Sequence, residues 1–181
     1  RLLDLHPEDL LEQADAVLSE VKSLEERAVV TGGGVGVSAT AGCLMNSEGI
    51  LSTGMTSSHG IGLQVTLDVN GQVTSSYQGD SSRTQMEAIP TCVGRAVRWA
   101  QITQNTIDVE STPVDTPVLM TSEGFSPLFS MVVPPAMTGE KMVRKESFWS
   151  EKLGQQVMNP SLSIVDDGLL PGGMSSGARD G

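Results

Sequence analysis

"IGLQVTLDVNGQVTSSY", Ile61 to Tyr77, sets the reading of the fold. Ile61, Leu63, Val65, Leu67 and Val69 alternate with Gly62, Gln64, Thr66 and Asp68, the period of a strand with one face on a core. Asn70-Gly71 matches the type I′ hairpin preference, whose two central residues both need positive φ, and Val73, Ser75 and Tyr77 continue the register on the return.

Upstream, Val35, Val37, Ala39, Ala41 and Cys43 alternate with Gly36, Ser38, Thr40 and Gly42, which predicts a half-buried strand. Asn46-Ser47-Glu48-Gly49 supplies turn chemistry, Ile50 to Met55 returns as a second strand, and Thr56-Ser57-Ser58-His59-Gly60 reads as a polar turn. Residues 29–79 therefore read as an antiparallel meander of about four strands. A helix over 7–24 precedes it. Pro7 suits the first helical position, Glu8 and Asp9 the first turn, and Leu10, Leu11, Ala14, Val17, Leu18 and Val21 form one apolar face. A second helix, about 86–102, follows from Met86, Ile89, Val93, Ala96, Val97 and Ala100, with Pro90 in its first turn or kinking it.

The class is thus α+β: helix, antiparallel β-meander and second helix form a central domain over 1–112. The polar segment Thr103 to Pro117, with Pro113 and Pro117, reads as a domain boundary. Residues 113–181 then read as the beginning of a second, mostly β domain, truncated. It is expected to hold a strand at Val118 to Met120, a helix from about Glu123 to Val133 broken by Pro134-Pro135, and short strands around Leu153 to Val157 and Leu162 to Val165. No internal repeat is visible, and the chain, opening on Arg1, reads as a piece of a longer protein.

With 22 acidic and 11 basic residues among 181, the formal charge is -11. That field repels phosphate backbones and anionic lipid, so direct nucleic-acid binding is disfavoured. Neither a signal-peptide core nor an apolar run long enough to span a membrane is present. Cys43 and Cys92, far apart and without CxxC spacing, read as reduced, small core residues of a cytoplasmic protein.

Catalytic chemistry is sparse. Gly32-Gly33-Gly34 and Gly36 lead into a strand, with no Lys-Ser/Thr after them, so they read as a flexible turn entering the meander and not as a phosphate loop. His6 sits at a helix start and His59 in the polar turn, neither with a second ligand at metal-binding spacing. No Gly-x-Ser-x-Gly elbow exists. Asp166 and Asp167 are adjacent, so on a continuing strand they point to opposite faces, and they read as a strand-end corner accepting backbone N–H bonds. Lys141, Arg144, Lys145 and Lys152 are interleaved with Glu140, Glu146 and Glu151, a solvated mixed face. No catalytic, cofactor-binding or metal residue emerges from the residues themselves.

"KESFWSEKLGQQVMNPSLSIVDDGLLPGGMSSGARDG" resembles the signature of the TldD/PmbA family, in which PmbA is also called TldE: a serine-led "SF…KLGQQV", a strand ending in "DD", then "LPGG" and small residues. "MNSEGI", "TSSHGIGLQVT", "GRAVRWA" and "TPVLM" are similar to the same family's central region. The family's TldD kind is a metalloprotease whose helix after the strand equivalent to "TPVLM" carries His-Glu-x-x-x-His, two metal ligands about one turn apart with a Glu that polarises the metal's water. Here that helix reads "SEGFSPLFSMVVPPAM", placing Ser130 and Met131 at the His-Glu positions and Pro135 at the second His. None serves as a zinc ligand. The resemblance therefore implies the PmbA kind: a subunit without its own metal, zinc or a similar divalent ion sitting in a TldD-like HExxxH partner, with unfolded or extended peptides as substrate. A homodimer is the expected form when the chain is alone. The older family label, modulator of DNA gyrase, does not imply DNA contact at this charge. Strand addition of a peptide along 35–43 or 61–69 is the expected mode of capture. A stand-alone peptide-binding scaffold, and a hydrolase with ligands outside this stretch, are the alternatives.

Overall fold

The computed structural model describes residues 5–84, 86–111 and 113–177. Ala178–Gly181 of the quoted signature and Thr112 at the expected boundary lie outside the described residues. The chain divides into two units, Arg1–Asp108 together with Asp167–Gly181, and Val109–Asp166.

In the first unit, α1 (Pro7–Leu24) starts where the sequence places it, and the His6 backbone N–H donates to the Asp9 carboxylate at 2.7 Å. Val17 and Val21 are its buried residues. Three strands follow: β1 (Ala28–Met45), β2 (Leu51–Val69) and β3 (Gln72–Ser82), antiparallel in the order β1-β2-β3. Asn70 (φ 56°) and Gly71 (φ 85°) make the β2–β3 turn, and Asp68 Oδ1 accepts from Gly71 N at 2.9 Å. Helix α2 (Ile89–Ile102) continues into the 3₁₀ turn Thr103–Asn105.

Ile61, Leu63, Val65 and Leu67 of β2 are buried with Ala28, with Val17 and Val21 of α1, and with Cys92, Val93, Ala96, Val97 and Ala100 of α2. Each large aliphatic side chain in that layer contributes about 1.5–3 kcal/mol by leaving water. Polar bonds fix the helix end to the sheet: Thr74 Oγ1 donates to Ala100 O at 2.7 Å, and Gln104 Nε2 donates to Leu67 O, Gln72 O and Thr74 Oγ1, each at 2.9 Å.

Several expectations are corrected. The meander has three long strands, because Thr56-Ser57-Ser58-His59-Gly60 is extended and belongs to β2. Those residues pair with Thr40, Ala39, Ser38, Val37 and Gly36, so their backbone groups are used by the ladder and no turn forms. The glycines 32–34 lie inside β1, beside a register shift between Val30 and Gly32, and are not a turn ahead of it. Cys43 is exposed, whereas Cys92 is buried. Helix α2 begins at Ile89, with Pro90 in its first turn, where a missing N–H costs nothing.

In the second unit, α3 (Ser122–Met137) is capped by Thr121, whose Oγ1 accepts from Gly124 N at 3.2 Å, and α4 (Gly139–Val143) follows. Helix α3 runs through Pro134-Pro135 to Met137 instead of breaking there. Proline's fixed φ is helical, and near a C-terminus the two lost N–H donors free only the carbonyls of Ser130 and Met131. The strands expected at 118–120, 153–157 and 162–165 are not formed among the described residues of this unit. Short apolar runs need a neighbouring strand to satisfy their backbone, and the described residues of this unit form none.

Candidate functional site

The sequence directs attention first to α3. Val133 and Ala136 point inward, so the face at Ser130, Met131 and Pro135 turns away: Ser130 is exposed, Met131 is 74 % exposed and Pro135 half-buried. Ser130, Pro134 and Pro135 line a depression of about 520 Å³ with Thr138, Glu140, Lys141 and Glu146. Glu140 is held by Arg144 at 3.0 Å. This donor set does not fit a catalytic zinc, which needs three imidazole, thiolate or carboxylate ligands convergent on one point. Among the described residues no group of three or more His, Cys, Asp or Glu is placed to hold an ion.

The serine that opens "SFWS" has a structural task. Ser147, buried, donates from Oγ to the Ala136 carbonyl at 2.6 Å and accepts from Trp149 N at 3.1 Å, while Ser150 Oγ donates to Ser147 O at 2.7 Å. The turn after α4 is thereby fastened to the last turn of α3, giving a carbonyl at the helix end a side-chain donor. Beside it Met137, Met142, Trp149, Leu153, Val157 and Ile164 help line an apolar cleft of about 350 Å³. The mixed charged face carries Lys145 against Glu151 at 3.4 Å as well as the Arg144–Glu140 pair, both solvent-exposed.

Asp167 opens a closed loop. Its Oδ1 accepts from Leu169 N at 3.1 Å and its carbonyl from Leu170 N at 3.2 Å. Leu170 O then accepts from Gly173 N, Gly173 O from Ser176 N, and Gly177 N returns to Gly168 O at 3.0 Å. Arg83 Nη1 binds the Ser176 carbonyl at 2.8 Å, and Gly172, at φ 74°, lies against Thr84. The loop is thus docked on the chain just after β3. Asp167 is thus the acceptor of this turn, through both its side chain and its carbonyl.

The two histidines are separated. His6 starts α1, and His59, half-buried in β2, bonds through Nε2 to Gln13 Oε1 at 3.0 Å, which corrects its expected place in a polar turn. Glu25 is the most perturbed carboxylate: bonds from Arg27, then from Gln101, hold it down to about 2, and it raises Arg27 in return. Burial pushes the Cys92 thiol up, as for an inert core cysteine. Cys92 belongs to the buried core with Val93, Ala96 and Val97. Sequence reasoning missed the Arg83, Gln104 and Ser147 contacts, because their partners are carbonyl oxygens, which leave no mark in the residue types.

What the sheet leaves open is larger. β1 is an edge strand, and over Ser38–Met45 it pairs with Leu51–Ser58 of β2 in a ribbon that β3 does not reach, because β3 pairs only from His59 onward. Leu44, Met45, Leu51 and Met55 are exposed on it. Between Arg27 and Asp68 the single formally charged residue is Glu48. Edge strands are ordinarily guarded by lysine, proline or a bulge, and apart from the shift near Thr31 this one is bare. No helix among the described residues is long and apolar enough to cross a membrane.

Comparison with known proteins agrees with this layout. Residues 113–181 match the PmbA/TldA metallopeptidase C-terminal domain. An uncharacterized protein of Methanocaldococcus jannaschii is 23% identical over 180 residues, covering 99% of this chain and 41% of that protein. The crystal structure of TldE from Thermococcus kodakarensis superposes with a TM-score of 0.70 at 22% identity, over 83% of this chain and 34% of that one. The chain spans about two fifths of the first relative's length and a third of the second's. Residues 113–181 thus match the PmbA/TldA metallopeptidase C-terminal domain, and the chain shares the α+β fold of TldE.

Proposed function

We propose that this chain is the metal-motif-lacking subunit of a heterodimeric metalloprotease, working with a TldD-like partner that carries His-Glu-x-x-x-His and a zinc or similar divalent ion. The observation that carries the reading is the face of α3, where Ser130, Met131 and Pro135 stand in the register at which that motif would supply two histidines and a glutamate. A hydroxyl, a thioether and an imide ring neither bind zinc at this spacing nor activate its water. The chain's part is then to hold substrate and to shape access to the partner's metal.

Unfolded or extended peptides are the substrate class this surface suits. Of the two strands expected to receive a peptide, 61–69 is interior, flanked by β1 and β3, so only the outer edge of β1, including 35–43, remains for strand addition. That edge reads no sequence by charge. Main-chain hydrogen bonds supply the affinity, which fits a protein acting on many extended segments. The free thiols Cys43 and Cys92 fit a cytoplasmic setting, and the charge of -11 argues against a nucleic-acid partner.

The test is metal-dependent peptide hydrolysis by the intact protein, alone and after co-expression with a His-Glu-x-x-x-His paralogue of the same organism. Activity only with the paralogue, abolished by a chelator, supports the subunit reading. Hydrolysis by the protein alone would refute it in favour of an autonomous enzyme, and inactivity in both states, with peptide still bound, would favour a stand-alone scaffold.

A further inference from the structure

The apolar cleft of the second unit has a local charge opposite in sign to that of the chain. In a protein with 22 acidic residues against 11 basic ones, its lining holds no aspartate or glutamate among the described residues, and Lys152 is the one charged side chain on it. The nearby acids are already matched, Glu140 with Arg144 at 3.0 Å and Glu151 with Lys145 at 3.4 Å, whereas Lys152 has no ion-pair partner among the described residues. The wall that carries it is fixed by consecutive turns. Ser150 N donates to Ser147 O at 3.1 Å, Lys152 N to Trp149 O at 2.9 Å and Gln155 N to Lys152 O at 2.9 Å, with Gly154 at φ 76°. Gln156 Nε2 on Met158 O and Leu162 N on Asn159 O, both at 2.9 Å, hold the stretch that follows, so the cleft is formed before any ligand arrives.

We propose that this cleft binds the C-terminal end of a peptide whose last residue is apolar, with the side chain among Met137, Met142 and Trp149 and the free carboxylate on Lys152. Its volume, about 350 Å³, is at the small end of what ligand sites occupy, enough for an end of a peptide and not for a length of one. The methionines are unbranched and re-pack around different shapes, so the site reads apolar character and not one residue. Charge selects the other half of the ligand. At a net charge of -11 an anion is repelled at long range, and a carboxylate is held only where a local cation outweighs that field. A bare hydrocarbon tail fits less well, because Leu153 is 89 % and Val157 39 % exposed and the tail would stay partly in water. Peptide groups tolerate water, and they can hydrogen-bond the amides that Gln155 and Asn159 bring to the same lining. The cleft is formed within the second unit and uses neither the β1 edge nor a metal, so failure of the proposed protease reading would leave binding here unchanged.

The experiment is calorimetric titration of the intact protein with an acetylated Gly-Ser-Gly-Ser-Leu peptide, with the same peptide as its C-terminal amide, and with decanoate. The expected result is a Kd for the acid below about 1 mM and one about fivefold or more higher for the amide. Lys152→Gln should erase the difference between acid and amide, and Lys152→Arg should keep it, both with unchanged circular dichroism. Val157→Asp should weaken both peptides about tenfold. Equal binding of acid and amide, a preference that survives Lys152→Gln, binding of decanoate without binding of the peptide, or a Kd for the acid above about 1 mM would each overturn the proposal.

Discussion

Gly33 of β1 faces the backbone of Gly62 in β2 so closely that a Cβ at 33 would lie inside van der Waals contact with the Gly62 carbonyl oxygen and 2.7 Å from Leu63 Cα. Its φ of 131° is one that L side chains rarely adopt. The approach follows the register shift between Val30 and Gly32, which bends the edge strand where it leaves the core.

Gly33→Ala is therefore expected to cost about 2–3 kcal/mol, from backbone strain plus overlap with a backbone that has no room to yield. Gly34→Ala, with nothing within 4 Å of its Cβ, stays within about 1 kcal/mol of wild type. Urea midpoints at constant m-value check both. Equal losses at the two positions would disprove the close approach.

Glu25 gives a pH dependence with a definite sign. Its folded value, about 2, lies below the ordinary 4.5, so its contribution is complete above about 4.5 and is lost as pH falls toward 2. Glu25→Gln should lower stability near neutrality, and the gap from wild type should close over that acid window. A gap independent of pH between 6 and 2 would show that the Arg27 and Gln101 bonds do not favour the charged form.

Gln104→Ala removes the amide donor that reaches Leu67 O, Gln72 O and Thr74 Oγ1. A loss of about 1–2 kcal/mol is expected, the usual range for part-buried acceptors left without a partner. Amides around Asn70 and Gly71 should exchange faster while those of α1 do not.

Asp167→Ala should cost up to about 1 kcal/mol through the lost turn bond to Leu169 N, and Asp167→Asn, which keeps an acceptor oxygen, less. In the proposed complex with a metal-bearing partner, neither should change hydrolysis beyond about twofold. A large activity loss with an unmoved melting temperature would place Asp167 in the chemistry after all.

Ser147→Ala leaves the Ala136 carbonyl and Trp149 N–H without their buried partner, and should cost about 1–3 kcal/mol, while Ser150→Ala, half-buried, costs less. Limited proteolysis should then cut first between 137 and 150. Resistance there would show that the serine is not what fastens the turn.

Local chemistry settled much of the protein in advance. Pro7 with Glu8 and Asp9 marked the start of α1, Asn70-Gly71 marked the β2–β3 turn, and the alternation from Ile61 to Val69 named the buried face of β2, since each of these preferences acts within a few residues. That Ser130, Met131 and Pro135 offer no zinc ligand was also legible, because ligand chemistry belongs to residue types. Other features depended on what lies opposite in space. Ser57-Ser58-His59-Gly60 became strand because Ser38 and its neighbours stand across from them, and as half-buried small or polar residues they show no hydrophobic alternation that would announce it. The apolar runs at 118–120, 153–157 and 162–165 are irregular, and among the described residues their own unit forms no strand with which they could pair. Arg83 found Ser176 across a separation that no local pattern records. Helical period and turn preference are encoded within a few residues, so the sequence alone determined them; strand pairing and side-chain bonds to distant carbonyls are satisfied between segments, so only the tertiary structure decided which edges close and which stay open.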